Sequence, residues 1–163
     1  MNSLERINSK IVTQNSLHSL VKDWKDSKQK IVFTNGCFDI LHFGHITYLF
    51  KAADFGTKLI IGLNSDSSVK KLKGKDRPIS DQKSRALCLA ALECVDAICI
   101  FNEETPINLI NIVLPDFLIK GGDYKTESIV GYSKVTNNGG RVLTIPFVKG
   151  YSTSKILNKL FEF

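Results

Sequence analysis

The sequence predicts an α/β protein with a single domain, built on a five-stranded parallel sheet that has helices on both faces. Five short runs of apolar and β-branched residues alternate with stretches in which apolar residues recur at spacings of three and four. Alternation of this kind implies parallel strands joined by right-handed crossovers. The length of 163 residues suits one domain with a sizeable core, so residues 1–163 are assigned to it.

Strands and helices alternate from about residue 16 onwards. Leu17, Leu20, Val21 and Trp24 follow helical spacing and predict a helix over residues 16–27, whereas residues 1–15 are predicted to be a loose arm. The first strand begins at Lys30, and the others are predicted at 58–63, 95–101, 116–120 and 141–146. Helices are predicted between the strands, with a weaker one at 127–136, and a last helix begins at Ser152.

The chain carries a formal net charge of +6 and a pI of about 9.1, which suits either anionic small substrates or nucleic acid. Five cations gather in one segment: Lys70, Lys71, Lys73, Lys75 and Arg77. This segment favours a local phosphate site, and a solvated loop is the alternative. Arg85, on the next helix, either faces the cleft and holds a phosphate or is an exposed helix arginine.

No apolar run is long enough to span a bilayer, and the N-terminus lacks the basic start and apolar block of a signal peptide. A cytoplasmic protein with no membrane partner is therefore expected. The four cysteines form no CxxC pair, and no residue is predicted to ligate a metal.

One stretch organises the rest of the chain. A buried strand runs through Asn35-Gly36-Cys37-Phe38-Asp39 and ends in His42-Phe43-Gly44-His45, after which a helix begins. A strand that passes through a glycine turn into a helix places backbone N–H groups and the positive end of the helix dipole in one cleft. Two histidines there suit a polyphosphate, because they donate hydrogen bonds and carry charge near neutral pH. Gly44 lets the backbone and a phosphate approach closely.

Two later loops follow predicted strands and can meet this stretch, since ligands of parallel sheets bind beyond the carboxyl ends of the strands. Ser152-Thr153-Ser154 opens the last helix, where hydroxyls and free N–H groups bind phosphate or simply cap the helix. Gly121-Gly122-Asp123 follows a buried strand; the glycines permit a base or ribose to lie against the backbone, and an ordinary turn is the alternative.

The HxGH motif, in this strand–turn–helix context, identifies the chain as similar to the cytidylyltransferase-like nucleotidyltransferases, which have a Rossmann-like fold. Further motifs narrow the resemblance to the adenylyltransferase domain of the heptose-phosphate enzymes that make ADP-heptose for lipopolysaccharide. They include Asn64 to Val69, Leu72-Lys73-Gly74, Arg77-Pro78-Ile79, Lys120 to Tyr124 and Gly150 to Thr153. In many bacteria that domain is fused to a sugar kinase, and this chain resembles the stand-alone form, which needs a separate kinase to supply its substrate.

The resemblance implies transfer of AMP from ATP to D-glycero-β-D-manno-heptose 1-phosphate, giving ADP-heptose and pyrophosphate. It implies that His42 and His45 act on the ATP phosphates and that Ser152, Thr153 and Ser154 hold the β and γ phosphates. Gly36, Cys37, Phe38, Gly122 and Asp123 would hold the nucleoside, and Asp39 would orient the turn or the water shell of Mg²⁺.

Lys71, Lys73 and Arg85 are the candidates for the acceptor phosphate, and Mg²⁺ would accompany the nucleotide. Homodimers are common among such proteins. Three alternatives stay open: the same chemistry with CTP and glycerol-3-phosphate or another alcohol or sugar phosphate, a nucleotide-binding module without turnover, and a nucleic-acid binder, which the short chain disfavours.

Overall fold

Six parallel strands form the sheet at the centre of the computed structural model, which describes residues 1–161. The strands are β1 (Ile11–Val12), β2 (Ile31–Gly36), β3 (Lys58–Asn64), β4 (Ala97–Phe101), β5 (Phe117–Gly121) and β6 (Arg141–Ile145). Their order across the sheet is β1-β4-β3-β2-β5-β6, and every neighbouring pair is parallel.

The strand order reverses between β2 and β5. From β2 the chain steps to β3 and β4 on one side, and it then returns to β5 and β6 on the other side of β2. In open parallel sheets, the crevice at such a reversal lies outside the carboxyl ends of the strands and is where ligands bind.

Eight α-helices and one short 3₁₀ helix are found in residues 1–161. The α-helices are α1 (Ser3–Asn8), α2 (Gln14–Asp26), α3 (Phe43–Ala53), α4 (Asp66–Lys73), α5 (Gln82–Ala90), α6 (Ile107–Val113), α7 (Tyr132–Asn137) and α8 (Thr153–Phe161). The 3₁₀ helix, Thr126–Ser128, and α7 replace the single helix predicted at 127–136, because Gly131 adopts a φ of +91° between them. No helix in residues 1–161 combines the length and the apolar character needed to cross a membrane.

The core has two layers, one on each face of the sheet. Alternate residues of a strand point to opposite faces, so Phe33 joins one layer and Val32 the other. Leu17 of α2 and Leu109 of α6 pack in the first layer, and Leu49 of α3 packs in the second. The predicted covering of both faces by helices is therefore confirmed.

The predictions of five strands and of a loose arm over residues 1–15 are wrong. Asn2 caps α1 by accepting from the Glu5 amide at 2.9 Å, and the Glu5 carboxylate accepts from the Asn2 amide at 2.8 Å. β1 then pairs with β4, aligning Ile11 with Ile98. A strand of two residues is too short to show a period of two, and its partner lies far away in the sequence, so the pattern gave no signal.

Candidate functional site

Two histidines lie at the start of α3, directly after the turn that follows β2. The Nδ1 atom of His42 accepts a hydrogen bond from the His45 amide at 3.3 Å, so His42 caps the helix with its imidazole. The two rings stack with their centroids 3.8 Å apart and their planes 20° from parallel. Because Nδ1 of His42 is an acceptor, its neutral ring carries the proton on Nε2, which is free to donate to a ligand.

Burial lowers the pKa of His45 to about 4, and the neighbouring His42 adds to this effect. Burial also lowers the pKa of His42. In the protein without ligand both rings are therefore neutral at pH 7, which corrects the expectation that they carry charge there. The Nδ1 atom of His45 is buried and has no hydrogen-bond partner within residues 1–161. A buried polar atom without a partner is costly, so this nitrogen is a candidate functional group.

The burial of His45 makes the stability of the protein depend on pH. Because the pKa of His45 is about 4 in the folded protein and near 6.5 in the unfolded chain, the unfolded chain binds more protons between these values. Stability should fall as pH drops from 6.5 towards 4. We expect chemical denaturation to show a steeper loss for the wild type than for His45→Asn over this range, and parallel curves for the two proteins would contradict the assignment.

The segment before α8 lies against the HxGH motif. The rings of Phe43 and Tyr151 are 4.9 Å apart. A Cβ atom placed on Gly44 would lie 3.3 Å from the Cβ of Tyr151 and 3.1 Å from the His42 ring. Ser152 follows Tyr151 directly, and its hydroxyl accepts from the Lys155 amide at 3.2 Å. The structure thus brings together the histidine pair and the start of α8, as the sequence analysis expected.

The turn at residues 36–39, here called the signature turn, supports His45 from the side opposite His42. Phe38 adopts a positive φ of 46°, and its buried ring meets the His45 ring edge-on with the centroids 5.3 Å apart. A Cβ atom on Gly36 would lie 2.9 Å from the Phe38 ring, so only glycine leaves room for this ring. The side chain of Phe38 therefore packs against His45.

The Asp39 carboxylate is buried inside the protein. Its carboxylate is 1% exposed, pairs with Arg77, and accepts from the amides of Ile79 at 2.8 Å and Ser80 at 3.0 Å. These bonds fasten the loop that follows α4 to the signature turn. The prediction that Asp39 binds the cofactor or orients its water shell is corrected, whereas its predicted role in ordering the turn agrees with these contacts.

Arg85 also joins separate segments of the chain. Its side chain is 1% exposed, and the guanidinium donates to the Cys37 carbonyl, to the Ser80 carbonyl at 2.9 Å and to the Asp66 carboxylate at 2.8 Å. It joins the signature turn, the start of α4 and the loop before α5. Arg85 is buried, so the exposed alternative is wrong. Its guanidinium donates to protein oxygens instead of facing the cleft as predicted.

The predicted lysines lie at the end of α4, and both Lys71 and Lys73 are exposed. Burial raises the pKa of the Cys37 thiol, and the positive charge of Lys73 opposes this effect together with Arg85 and Arg77. Lys73 is therefore near the signature turn. Lys71 has no such effect on the Cys37 thiol.

The glycine pair at the end of β5, Gly121 and Gly122, lies under an aromatic side chain. Gly122 is buried, has a φ of +115°, and donates to the Ile145 carbonyl at 2.9 Å. Added Cβ atoms on Gly121 and Gly122 would lie 2.7 and 3.0 Å from the ring of Phe147, which is itself 66% exposed. Asp123 is exposed beside them.

Two residues of the crevice had no role in the sequence analysis. The Tyr48 hydroxyl donates to the Ile119 carbonyl at 3.1 Å and pairs with the Thr34 hydroxyl at 2.6 Å, which ties α3 to β2 and β5. Lys120, at the carboxyl end of β5, donates to the Asn35 amide oxygen at 2.8 Å. In the sequence, Lys120 opens the motif Lys120 to Tyr124 at the end of an apolar run, and neither feature gave its side chain a role.

Comparison with known proteins agrees with this geometry. A family model described as Cytidylyltransferase-like matches residues 33–159. A "Bifunctional protein HldE" of Helicobacter hepaticus is 52% identical over 161 residues, which cover 98% of this chain and 32% of that protein. A protein of the same name from Koribacter versatilis is 48% identical over 151 residues, covering 93% and 31%. The chain thus spans about a third of the length of these relatives.

Two solved structures are similar as well. The lipopolysaccharide core biosynthesis protein from Thermoplasma volcanium GSS1 is 31% identical with a TM-score of 0.61, covering 76% of this chain and 99% of that one. A pantoate-beta-alanine ligase from Francisella tularensis, complexed with beta-gamma ATP and beta-alanine, has a TM-score of 0.63 over 94% of this chain and 78% of that one. At 17% identity, the second likeness shows the fold alone. With the HxGH motif at the crevice and the family model matched over most of its length, the chain belongs to the cytidylyltransferase-like family.

Proposed function

We propose that this protein transfers AMP from ATP to a sugar 1-phosphate, with D-glycero-β-D-manno-heptose 1-phosphate as the acceptor, and releases pyrophosphate. The observation that carries the proposal is the contact between the HxGH motif and the segment that opens α8, made by Phe43 and Tyr151. This contact supports the proposal that both segments face one cleft and bind the same triphosphate. The high identity to relatives named Bifunctional protein HldE supports the heptose acceptor and does not favour the alternative with CTP and glycerol-3-phosphate.

The acceptor phosphate is already ionised, so the reaction needs no general base. Its oxygen attacks the α-phosphorus in line, the bond to the bridging oxygen breaks, and negative charge moves onto the leaving pyrophosphate. Catalysis then consists of positioning and of stabilising that charge. His42 would donate from its free Nε2–H group. His45 lies between the His42 and Phe38 rings, and the triphosphate charge would raise its pKa from about 4.

The start of α8 would hold the β and γ phosphates. Thr153 and Ser154 are the first two residues of this nine-residue helix, whose first amide groups have no partner inside the helix. The positive end of the helix dipole adds to their hydroxyl donors. Ser152 would act mainly through its cap on the Lys155 amide, which fixes the direction of the helix start.

The nucleoside would lie on the opposite side of the HxGH motif from the acceptor. Gly122 offers a backbone surface without a Cβ atom, and the exposed Asp123 carboxylate would accept from a ribose hydroxyl or a base amine. Lys73, which lies near the signature turn, is the better placed of the two lysines for the acceptor phosphate.

Mg²⁺ would arrive as part of the nucleotide substrate. Within residues 1–161, no group of three or more His, Cys, Asp or Glu side chains could hold a metal ion, and the carboxylate of Asp39 is fully used by protein donors. Phosphate oxygens and water are the usual ligands of nucleotide-bound Mg²⁺. The residues present therefore fit an ion that is held by its phosphates and not by a protein cage.

A panel of nucleoside triphosphates against sugar and polyol phosphates, measured as pyrophosphate release, tests this function. We expect turnover with ATP and heptose 1-phosphate, and little with CTP or with glycerol-3-phosphate. Preference for CTP with a polyol phosphate would overturn the substrate assignment. Nucleotide binding without turnover on any acceptor would overturn the enzymatic assignment.

A further inference from the structure

Lys120 lies where the strand order reverses. It is the fourth residue of β5, and its ammonium group reaches across to the end of β2, where it donates to the side-chain oxygen of Asn35 at 2.8 Å and lies 3.4 Å from the Asn35 carbonyl oxygen. Gly121 and Gly122 follow it in the chain, and Gly36 and Cys37 follow Asn35. The ammonium group therefore lies between the glycine pair and the signature turn.

This ammonium group has no counter-ion among residues 1–161. Within residues 1–161, no carboxylate lies within 4.0 Å of its Nζ atom, whereas the partly buried Lys58 pairs with Asp96 at 2.9 Å. Burial lowers the pKa of Lys120, an effect that the nearby Cys37 opposes. Burying a cation without an anion is costly unless something else supplies the charge.

The environment of Lys25, in contrast, is explained by contacts within the protein. Burial lowers its pKa too, and Asp116 opposes this effect. Its ammonium group, however, donates to the Val113 and Leu114 carbonyls at 2.7 and 3.1 Å, at the C-terminal end of α6, where the helix dipole favours a cation. Among residues 1–161, Lys120 donates only to the uncharged Asn35, whose two oxygens occupy two of its three donors.

We propose that Lys120 binds a phosphate oxygen of the nucleotide substrate directly, at the part of the triphosphate next to the nucleoside. The inference rests on the proposed function for the identity of the ligand. Asn35 holds the ammonium group in place, the third N–H group points to the ligand, and the phosphate supplies the missing negative charge. The triphosphate would then be held by the charged ammonium group of Lys120 in addition to the two neutral imidazoles.

Three variants separate this role from a structural one. Lys120→Met keeps the length of the side chain and removes the charge, Lys120→Arg keeps the charge, and Lys25→Met is the matched control away from the crevice. Binding of a non-hydrolysable ATP analogue, of adenosine and of a sugar 1-phosphate is measured by calorimetry. For Lys120→Met we expect about 10- to 100-fold weaker binding of the ATP analogue, as for loss of a charged hydrogen bond, with adenosine unchanged.

Lys120→Arg should retain most of the affinity for the ATP analogue, and Lys25→Met all of it. Unchanged binding of the analogue by Lys120→Met would overturn the inference, as would an equal loss of adenosine binding. A loss confined to the sugar 1-phosphate would overturn the assignment to the nucleotide. If Lys120 governs binding of the analogue but no acceptor supports pyrophosphate release, the proposed reaction fails while this contact stands.

The contact between Lys120 and the phosphate can also be tested on the wild-type protein, without any variant. With ¹³C-labelled lysine, the Lys120 resonance is titrated with and without the ATP analogue. A phosphate in contact with the ammonium group should raise the pKa of Lys120 by at least about one unit, whereas the pKa of Lys25 should not change. The same pKa of Lys120 with and without the analogue would refute the contact.

Discussion

Replacing His45 with alanine is expected to lower kcat with ATP and heptose 1-phosphate by about 100-fold or more, the usual cost of removing one transition-state donor. His45 is held between the His42 ring at 3.8 Å and the edge-on Phe38 ring at 5.3 Å, so its position is fixed before the ligand binds. Loss of a group that acts mainly in the transition state should lower kcat more than it raises KM for ATP.

The third histidine provides the control. His18 is exposed on α2 and lies outside the crevice, so His18→Ala should have kcat and stability close to the wild type. Steady-state pyrophosphate release and chemical denaturation should be measured on both variants. An active His45→Ala protein would contradict the assigned role, and a fall in activity that is matched by unfolding would assign His45 to the fold instead.

Replacing Arg85 with methionine is expected to destabilise the protein by about 3 kcal/mol, even though Arg85 contacts no substrate in this account. The change leaves the Cys37 and Ser80 carbonyls and the Asp66 carboxylate without their donor. Because Cys37 belongs to the signature turn, activity should also fall, mainly through poorer positioning of His45. Urea denaturation and pyrophosphate release measure the two effects.

Lys83→Met is the matched control for Arg85→Met. Lys83 is exposed on the same helix, α5, two residues before Arg85, so its replacement should change the free energy of unfolding by less than about 0.5 kcal/mol. A stable Arg85→Met protein that has lost only affinity for the sugar phosphate would show that Arg85 binds the acceptor after all.

The sequence predicted those parts of the crevice that depend on local pattern. The strand, the glycine turn and the helix start around His42 and His45 are contiguous, so their arrangement follows from turn and helix chemistry alone. The approach of Ser152 to this motif also followed, because parallel strands place their carboxyl ends, and the loops after them, at one edge of the sheet.

Side-chain direction could not be predicted in the same way. Arg85 and Asp39 are charged residues next to a basic loop, and nothing local distinguishes a cation that faces a ligand from one that joins three buried segments. Lys120 received no role because its isolation from carboxylates is visible only once β2 and β5 are neighbours. β1 was missed because its two residues depend wholly on pairing with β4.

The central claim is that one triphosphate is held between the histidine pair and the start of α8. A crystal structure of the protein with a non-hydrolysable ATP analogue and Mg²⁺ tests it most directly. We expect phosphate oxygens about 3 Å, within hydrogen-bond distance, from an imidazole of the HxGH motif and also from the hydroxyl or amide of Thr153 or Ser154. A triphosphate that contacts only one of these two elements, or lies elsewhere on the protein, would contradict it.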